Sequence, residues 1–423
     1  MNKRRVVITG VGAITPYGEG AGLYWESLKA GRSAIRPLRL FKPDGVASKV
    51  AAEVHDWRPE NIVSEKDLRR LPRVGIMAIG SAREALADAG FDPAGQSLET
   101  LRRVGVVLGT SSGGIEFAEE QYRRFFTGEV DGRCYPFAVS SAFVGMLSSE
   151  VSIAFGLRGL SQVVSTGCTS STDALGLALR TIQYGSADVI VSGGADCCVT
   201  PGIVDCYSRM KCVSTHYNES PEKASRPFNM DRDGFVIGEG SWTVVLEEYE
   251  HAVRRGAPIY AEVAGYGATC DAFHRVQIMP TGEESARAMQ LALEDAGVPA
   301  DHVQYVNLHG TSTLLNDKTE TAAIKLAFGR HAYSIATSAT KSLIGHPQGA
   351  AGAAGLVATL MAMKESVLHP TINYENPDPD CDLDYVPNTA REKALDFAMC
   401  NTIAFGSKNS ALLLKRAEAE VVA

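Results

Sequence analysis

The 423-residue chain is 45% hydrophobic and carries 41 basic against 49 acidic residues, a formal net charge of −8. That is enough apolar material for a large core in one or two domains. The negative balance argues against a general affinity for nucleic acid or an anionic membrane, so an anionic partner would have to meet a local basic patch.

The opening MNKRRVVITGVGAITP pairs a basic head with a short apolar run. Gly10, Gly12 and Pro16 interrupt that run too early for a signal peptide, so a first strand is expected. GVGAIT has Thr15 where a dinucleotide fingerprint needs its third glycine, and no P-loop lysine follows GTSSGG at 109–114. Both read as tight turns after strands. Between them, EKDLRRLPR sets Lys66, Arg69, Arg70 and Arg73 within eight residues at helical spacing. That is a candidate basic patch, with a solvated helix face as the alternative. The segment 128–150 mixes aromatic and small residues, suiting it to pocket and interface lining or to ordinary core packing.

Apolar runs bounded by glycine recur: RRVVITGVG, RVGVVLGTSSGG, QVVSTGC and DVIVSGGAD, then in the same order AEVAGYG, VQYVNLHGTST, SIATSATKSLIGH and FAMCNTIAFGSKNSALLLK. Such strands alternating with helical segments imply parallel sheets covered on both faces. Two series imply an internal duplication, with halves at 1–257 and 258–423. Two small-residue helices, CTSSTDALGLALRTIQYG and QGAAGAAGLVATLMAMKESV, each follow the third strand of their series and suit a place between two sheets. The uncharged stretch Gly349 to Met363 is too short to span a bilayer and reads as a buried helix. Nine cysteines without a CxxC pair suggest neither a zinc site nor a disulfide framework. A reduced, cytoplasmic protein with no bound metal is expected.

Cys168 stands where an apolar strand turns into a helix. Free N–H groups and the helix dipole at such a junction favour thiolate over thiol, and neighbouring small residues permit an exposed nucleophile elbow. The other cysteines read as small buried hydrophobes. In the second series His309 ends an apolar strand and is followed by Gly310 and the small hydroxyl residues Thr311, Ser312 and Thr313, while Lys341 and His346 precede the second small-residue helix. Duplication brings these positions toward Cys168, whereas His55, His216, His251, His274, His302, His331 and His369 read as surface or core residues.

STGCTSS, HGTST, KSLIGHPQGAAGAAG, RPFNMDRDGFVIGEG between the halves and AFGSKNSALLL at the end carry a resemblance. Over essentially its full length the chain resembles the β-ketoacyl-[acyl-carrier-protein] synthases, condensing enzymes of the thiolase superfamily. The resemblance implies an α/β duplicated thiolase fold, five-layered α-β-α-β-α, with two mixed sheets around buried helices. It implies transfer of an acyl chain to Cys168 and decarboxylative condensation with malonyl-carrier protein. The substrates ride on the phosphopantetheine of acyl carrier protein, with no bound cofactor. By the same resemblance, the N–H groups of Cys168 and Phe405 form an oxyanion hole. His309 and His346 bind the malonyl thioester oxygen, and His309 assists decarboxylation. Lys341 orients the network with Glu320, Thr311 and Thr313 support it, and Phe405 gates the extender pocket. Carrier protein would dock on Lys66, Arg69, Arg70 and Arg73.

A thiolase would need a second cysteine near the last glycine-rich turn, and Cys400 lies too early for it; a chain-length factor would lack Cys168. GHPQGAAGAAGLVATLMAM and HPTINYENPDPDCDLDYVP look closer to ketosynthase subunits of type II polyketide or polyene systems than to a housekeeping fatty-acid synthase. That implies a heterodimer with a chain-length factor, the alternative being a homodimer. Gly355 stands where many members of the family have a glutamate, and AFGSKN replaces GFGGTN, so Ser407 and Lys408 put the local backbone in question.

Overall fold

In the computed structural model of the chain, residues 3–129 and 133–417 are described. Five strands from each half organise the molecule, numbered here in chain order. The first five are β1 (Val6–Thr15), β2 (Val104–Gly109), β3 (Ser161–Val164), β4 (Val189–Cys197) and β5 (Ile237–Glu248). The second five are β6 (Ala261–Cys270), β7 (Tyr305–Asn307), β8 (Ala336–Ser338), β9 (Phe397–Ala404) and β10 (Lys408–Arg416). The first set lies side by side as 3-2-4-5-1 and the second as 8-7-9-10-6, the same order advanced by five.

Strand sense repeats with the order. β2 runs parallel to β3 and β4, and β5 antiparallel to β4 and β1. β7 likewise runs parallel to β8 and β9, and β10 antiparallel to β9 and β6. The half-sheets are therefore mixed, not wholly parallel as strand composition alone suggests. The reason lies in β5, a fully buried twelve-residue strand in a stretch the sequence reading passed over as a connection between the halves. Pairing of Val7 with Glu262 and Ile8 with Ala261 joins the two half-sheets into one continuous sheet, thirteen-stranded when three short flanking strands are included.

Six helices make the other layers: α1 (Arg73–Asp88), α2 (Met146–Phe155), α3 (Ser170–Gln183), α4 (Glu283–Ala296), α5 (Leu314–Phe328) and α6 (Ala351–Glu365). α1 and α2 pack on the outer face of the first half-sheet, and α4 and α5 on that of the second. α3 and α6 share the core between the half-sheets, which completes the α-β-α-β-α stack. Ala351 to Met363 of α6 are all buried, as an uncharged helix in the middle layer must be. Its small residues set the spacing: a Cβ on Gly352 would fall 2.0 Å from Thr172 Oγ1 of α3.

Gly10 and Gly12 are not turn residues, because β1 runs straight through them. A Cβ at either would come 2.1 Å from a carbonyl of α1, at Ala85 or Ser81, and the same spacing recurs at Gly265 and Gly267 of β6 under α4. These glycines let a helix lie close against the sheet, a demand that sequence alone does not separate from a turn.

Candidate active site

Cys168 sits in a single 3₁₀ turn, Gly167–Thr169, that joins β3 to α3. Gly167 takes a left-handed φ of +74°, which sharpens the turn and would strain any other residue. Ser170 Oγ, in the first turn of α3, accepts the Thr166 N–H at 2.9 Å. Cys168 ends up buried, yet it lines a small, mainly apolar chamber together with Phe235, Ile403 and Phe405.

His346 Nε2 lies 3.2 Å from the Cys168 sulfur, and the backbone N–H groups of Phe405 and of Cys168 itself favour the charged form of the thiol. His346 Nδ1 accepts the Gln348 N–H at 3.2 Å, which leaves the ring hydrogen on Nε2, facing the sulfur. Burial nevertheless pushes the thiol up to about 11, against the pull of the Lys341 charge and the two N–H groups. The expectation from the helix start is thus reversed for the resting state. The sulfur is buried deeply enough that desolvation outweighs the dipole, and the donors act on the thiolate once it forms.

His309 stands edge-on to His346, ring centroids 5.2 Å apart, and its Nδ1 is buried without a hydrogen-bond partner. Donor atoms of Cys168, His309 and His346 all lie within 4.8 Å of one another. These are the donor types of a zinc site, but the His346 tautomer offers Cys168 a hydrogen rather than a lone pair. Burial and the Lys341 charge hold both histidines well below the usual imidazole range, so each is neutral at pH 7. Lys341 is itself buried and lowered to about 8 by desolvation, with Glu320, Cys168 and Asp317 acting the other way.

The turn that carries His309 is held by Glu320 of α5. Its two oxygens accept the His309 and Gly310 N–H groups, each at 2.7 Å, and Oε1 also accepts Asn401 Nδ2 at 2.7 Å. Thr311 and Thr313 line the chamber and share a hydroxyl contact at 2.9 Å, and Thr313 caps α5. Phe405 lines the chamber next to Cys168.

Sequence reasoning missed Asp196, Gln348 and Asn401. Asp196, the penultimate residue of β4, is fully buried, where it accepts from Thr110 Oγ1 (2.7 Å) and the N–H groups of Ser111 (2.8 Å) and Gly349 (2.6 Å). It thereby ties the turn after β2 to the approach of α6. The available signal was an acid at the end of an uninterrupted apolar strand, since a buried carboxylate needs several donors.

Other expectations fare differently. Cys400 lies in β9, bonded to Thr359 and outside the chamber. Ser407 takes a φ of +65° and locks the final turn: its hydroxyl donates to the His274 carbonyl at 2.9 Å and accepts the Phe273 and His274 N–H groups. Lys408 simply opens β10. Lys66 and Arg69 are exposed and Arg70 half-buried, but Arg73 leaves the basic patch. It starts α1 and turns inward to pair with buried Glu239 at 2.8 Å. The helical spacing fails because the short helix Glu65–Leu68 ends before Pro72, whose ring cannot continue it. Of the segment 128–150, residues 130–132 lie outside the described residues; Phe137, Val139 and Phe143 are exposed.

Residues 3–252 match the model of the β-ketoacyl synthase N-terminal domain, and residues 260–375 that of its C-terminal domain. The chain is 41% identical over 416 residues to 3-oxoacyl-[acyl-carrier-protein] synthase 2 of Coxiella burnetii, covering 98% of this chain and 99% of the relative. It is 42% identical over 423 residues to the tetracenomycin polyketide synthase ketoacyl synthase alpha subunit of Streptomyces glaucescens, covering 98% and 97%. The ishigamide ketosynthase/chain length factor structure superposes with a TM-score of 0.90 at 35% identity, covering 98% of this chain and all of that one. With matched domain models over both halves and full-length relatives at this identity, the chain belongs to the β-ketoacyl synthase family.

Proposed function

We propose that the chain is the catalytic ketosynthase of a type II polyketide or polyene system, condensing an acyl group held on Cys168 with malonyl-carrier protein. The observation that carries this is one buried cysteine sulfur with His346 Nε2 3.2 Å away and the ligating atoms of His309 and His346 gathered within 4.8 Å of it and of one another.

In the first half-reaction Cys168 Sγ attacks the acyl thioester carbonyl. The N–H groups of Cys168 and Phe405 stabilise the tetrahedral oxyanion, and the departing carrier thiol takes the proton that Cys168 gives up. In the second, His309 and His346, both neutral, donate hydrogen bonds to the malonyl thioester oxygen as carbon dioxide leaves and negative charge moves onto that oxygen. The resulting carbanion attacks the acyl-Cys168 carbonyl, the same two N–H groups hold the new oxyanion, and Cys168 is released. Lys341 adds a buried positive field and Glu320 keeps the His309 turn in register.

We infer a dimer from the sheet edges. The β8 edge is covered where the Thr337 N–H meets the Asp384 carbonyl at 2.7 Å, but β3 ends the sheet with Ser161 and Gln162 exposed. An apolar side chain stands out on α2, which packs beside β3: Ile153 is 73% exposed. A second chain that continues the sheet would satisfy the strand edge and bury that side chain. The name of the ishigamide structure pairs a ketosynthase with a chain length factor, and that partner is the one proposed here. The 41% identity to a 3-oxoacyl-[acyl-carrier-protein] synthase 2 supports a second reading, a fatty-acid-elongating homodimer. Expression with and without a co-encoded homologue that lacks the nucleophile separates the two. Activity only in the mixed complex is expected; a homodimer that elongates saturated acyl chains unaided would favour the second reading.

Carrier protein is proposed to dock on the reduced patch of Lys66, Arg69 and Arg70. Arg69→Glu with Arg70→Glu should raise KM for carrier-bound substrate ~10-fold at low salt with kcat kept, and the effect should fade as salt rises. Unchanged KM at low salt would remove the patch from the site.

A further inference from the structure

Behind the chamber, Tyr305, Asn307, Ser338, Thr340 and His369 form a cluster in which no residue is more than 4% exposed. Its protons can be assigned one by one. Asn307 Nδ2 lies 2.9 Å from Thr340 Oγ1 and 3.2 Å from Tyr305 Oη, which accounts for its two hydrogens. The Tyr305 hydroxyl then donates to Ser338 Oγ at 2.6 Å, and the Ser338 hydroxyl to His369 Nε2 at 3.2 Å. The Thr340 hydroxyl has the same Nε2 as acceptor, at 3.3 Å. His369 Nδ1 lies 3.1 Å from the Pro370 carbonyl, so Nδ1 carries the hydrogen and Nε2 the lone pair. Every donor chain in the cluster ends on that lone pair.

The groups so tied stand just ahead of His309 and Lys341 in the chain. Asn307 ends β7 two residues before His309, Ser338 ends β8, and Thr340 immediately precedes Lys341. Gly355 of α6 closes the cluster from the far side, where a Cβ would fall 2.4 Å from Asn307 Oδ1. The glycine at this position therefore makes room for Asn307 to reach its acceptors.

We propose that His369 is a positioning residue for the condensing reaction: as the shared hydrogen-bond acceptor of the Ser338 and Thr340 hydroxyls, the second of which in turn accepts from Asn307, it fixes the strand ends that lead to His309 and Lys341. Burial keeps the imidazole neutral, with its pKa lowered to about 4, so the lone pair is present throughout the working pH range. Without it, two buried hydroxyls lose their acceptor and the cluster must rearrange. A displacement of ~1 Å at a reacting group costs on the order of 10²-fold in rate.

The inference rests on the proposed activity, and the test separates the two. H369L should lower kcat for malonyl-carrier protein decarboxylation ~10- to 100-fold while KM and acyl labelling of Cys168 stay within twofold. H369Q, whose side-chain carbonyl can accept in place of Nε2, should recover most of the rate. T340V and G355A should reproduce the H369L split, the first by removing one donor and the second by displacing Asn307. They keep the question decidable if H369L does not fold. Unchanged kcat in folded H369L, equal losses of labelling and decarboxylation, or no recovery in H369Q would each overturn the role; if H369L does not fold, wild-type kcat in T340V and G355A would do so. A wild-type chain that never decarboxylates malonyl-carrier protein would instead sink the proposed function.

Discussion

Cys168→Ala should lower condensation by ~10⁴-fold or more, to the background left when a covalent nucleophile is removed. The fold should survive, because the change deletes one buried sulfur and keeps the backbone N–H that the turn presents to the chamber. The acyl group from carrier protein should appear, by peptide mass spectrometry, on the peptide containing Cys168 in the wild type and on no peptide of the variant. Specificity for this thiol follows from its surroundings. Cys197, Cys198 and Cys400 are as deeply buried, but burial raises their thiols without a histidine at the sulfur, and none of them lines the chamber. Stable acylation of Cys198 or Cys400 in the wild type, or condensation persisting in the variant, would sink the assignment.

The same contrast shows which parts of the site were legible in the sequence. Cys168, His309 and His346 could be placed because each stands at a strand end or helix start flanked by glycine and small residues, and the duplication says which strand ends face each other. The duplication itself was legible for the same reason: apolar runs bounded by glycine recur in series. β5 was not, since Gly238, Glu239, Gly240 and Ser241 interrupt the apolar pattern within its first five residues, and its antiparallel sense is a property of the sheet rather than of the strand. Arg73 was misplaced because charge spacing shows neither the break at Pro72 nor the buried Glu239 that draws the guanidinium inward. His369 had no legible signal at all: Leu-His-Pro in an irregular stretch becomes a hydrogen-bond centre only when β7, β8 and α6 meet around it. Polar networks of this kind depend on three-dimensional closure, which composition and periodicity do not report.

Two substitutions at the paired histidines should separate the half-reactions. His309→Ala removes the ring but keeps the N–H that Glu320 holds at 2.7 Å, so the turn and the Asn401 contact should remain in place. No hydrogen bond to Cys168 is lost. Acyl labelling of Cys168 should therefore stay within a few-fold of wild type, while carbon dioxide release from malonyl-carrier protein falls ~10²- to 10⁴-fold, the range for loss of a positioned donor or proton-transfer group. His346→Ala differs because its Nε2 lies 3.2 Å from the sulfur. That variant should lose acyl labelling as well as decarboxylation, since it removes one of three donors that stabilise the Cys168 thiolate against a pKa of about 11. Raising the pH should restore part of its labelling, because more thiolate forms without the donor's help, whereas His309→Ala should gain no decarboxylation from the same change. Carbon dioxide release at the wild-type rate from His309→Ala, or equal labelling in the two variants, would overturn this division of labour.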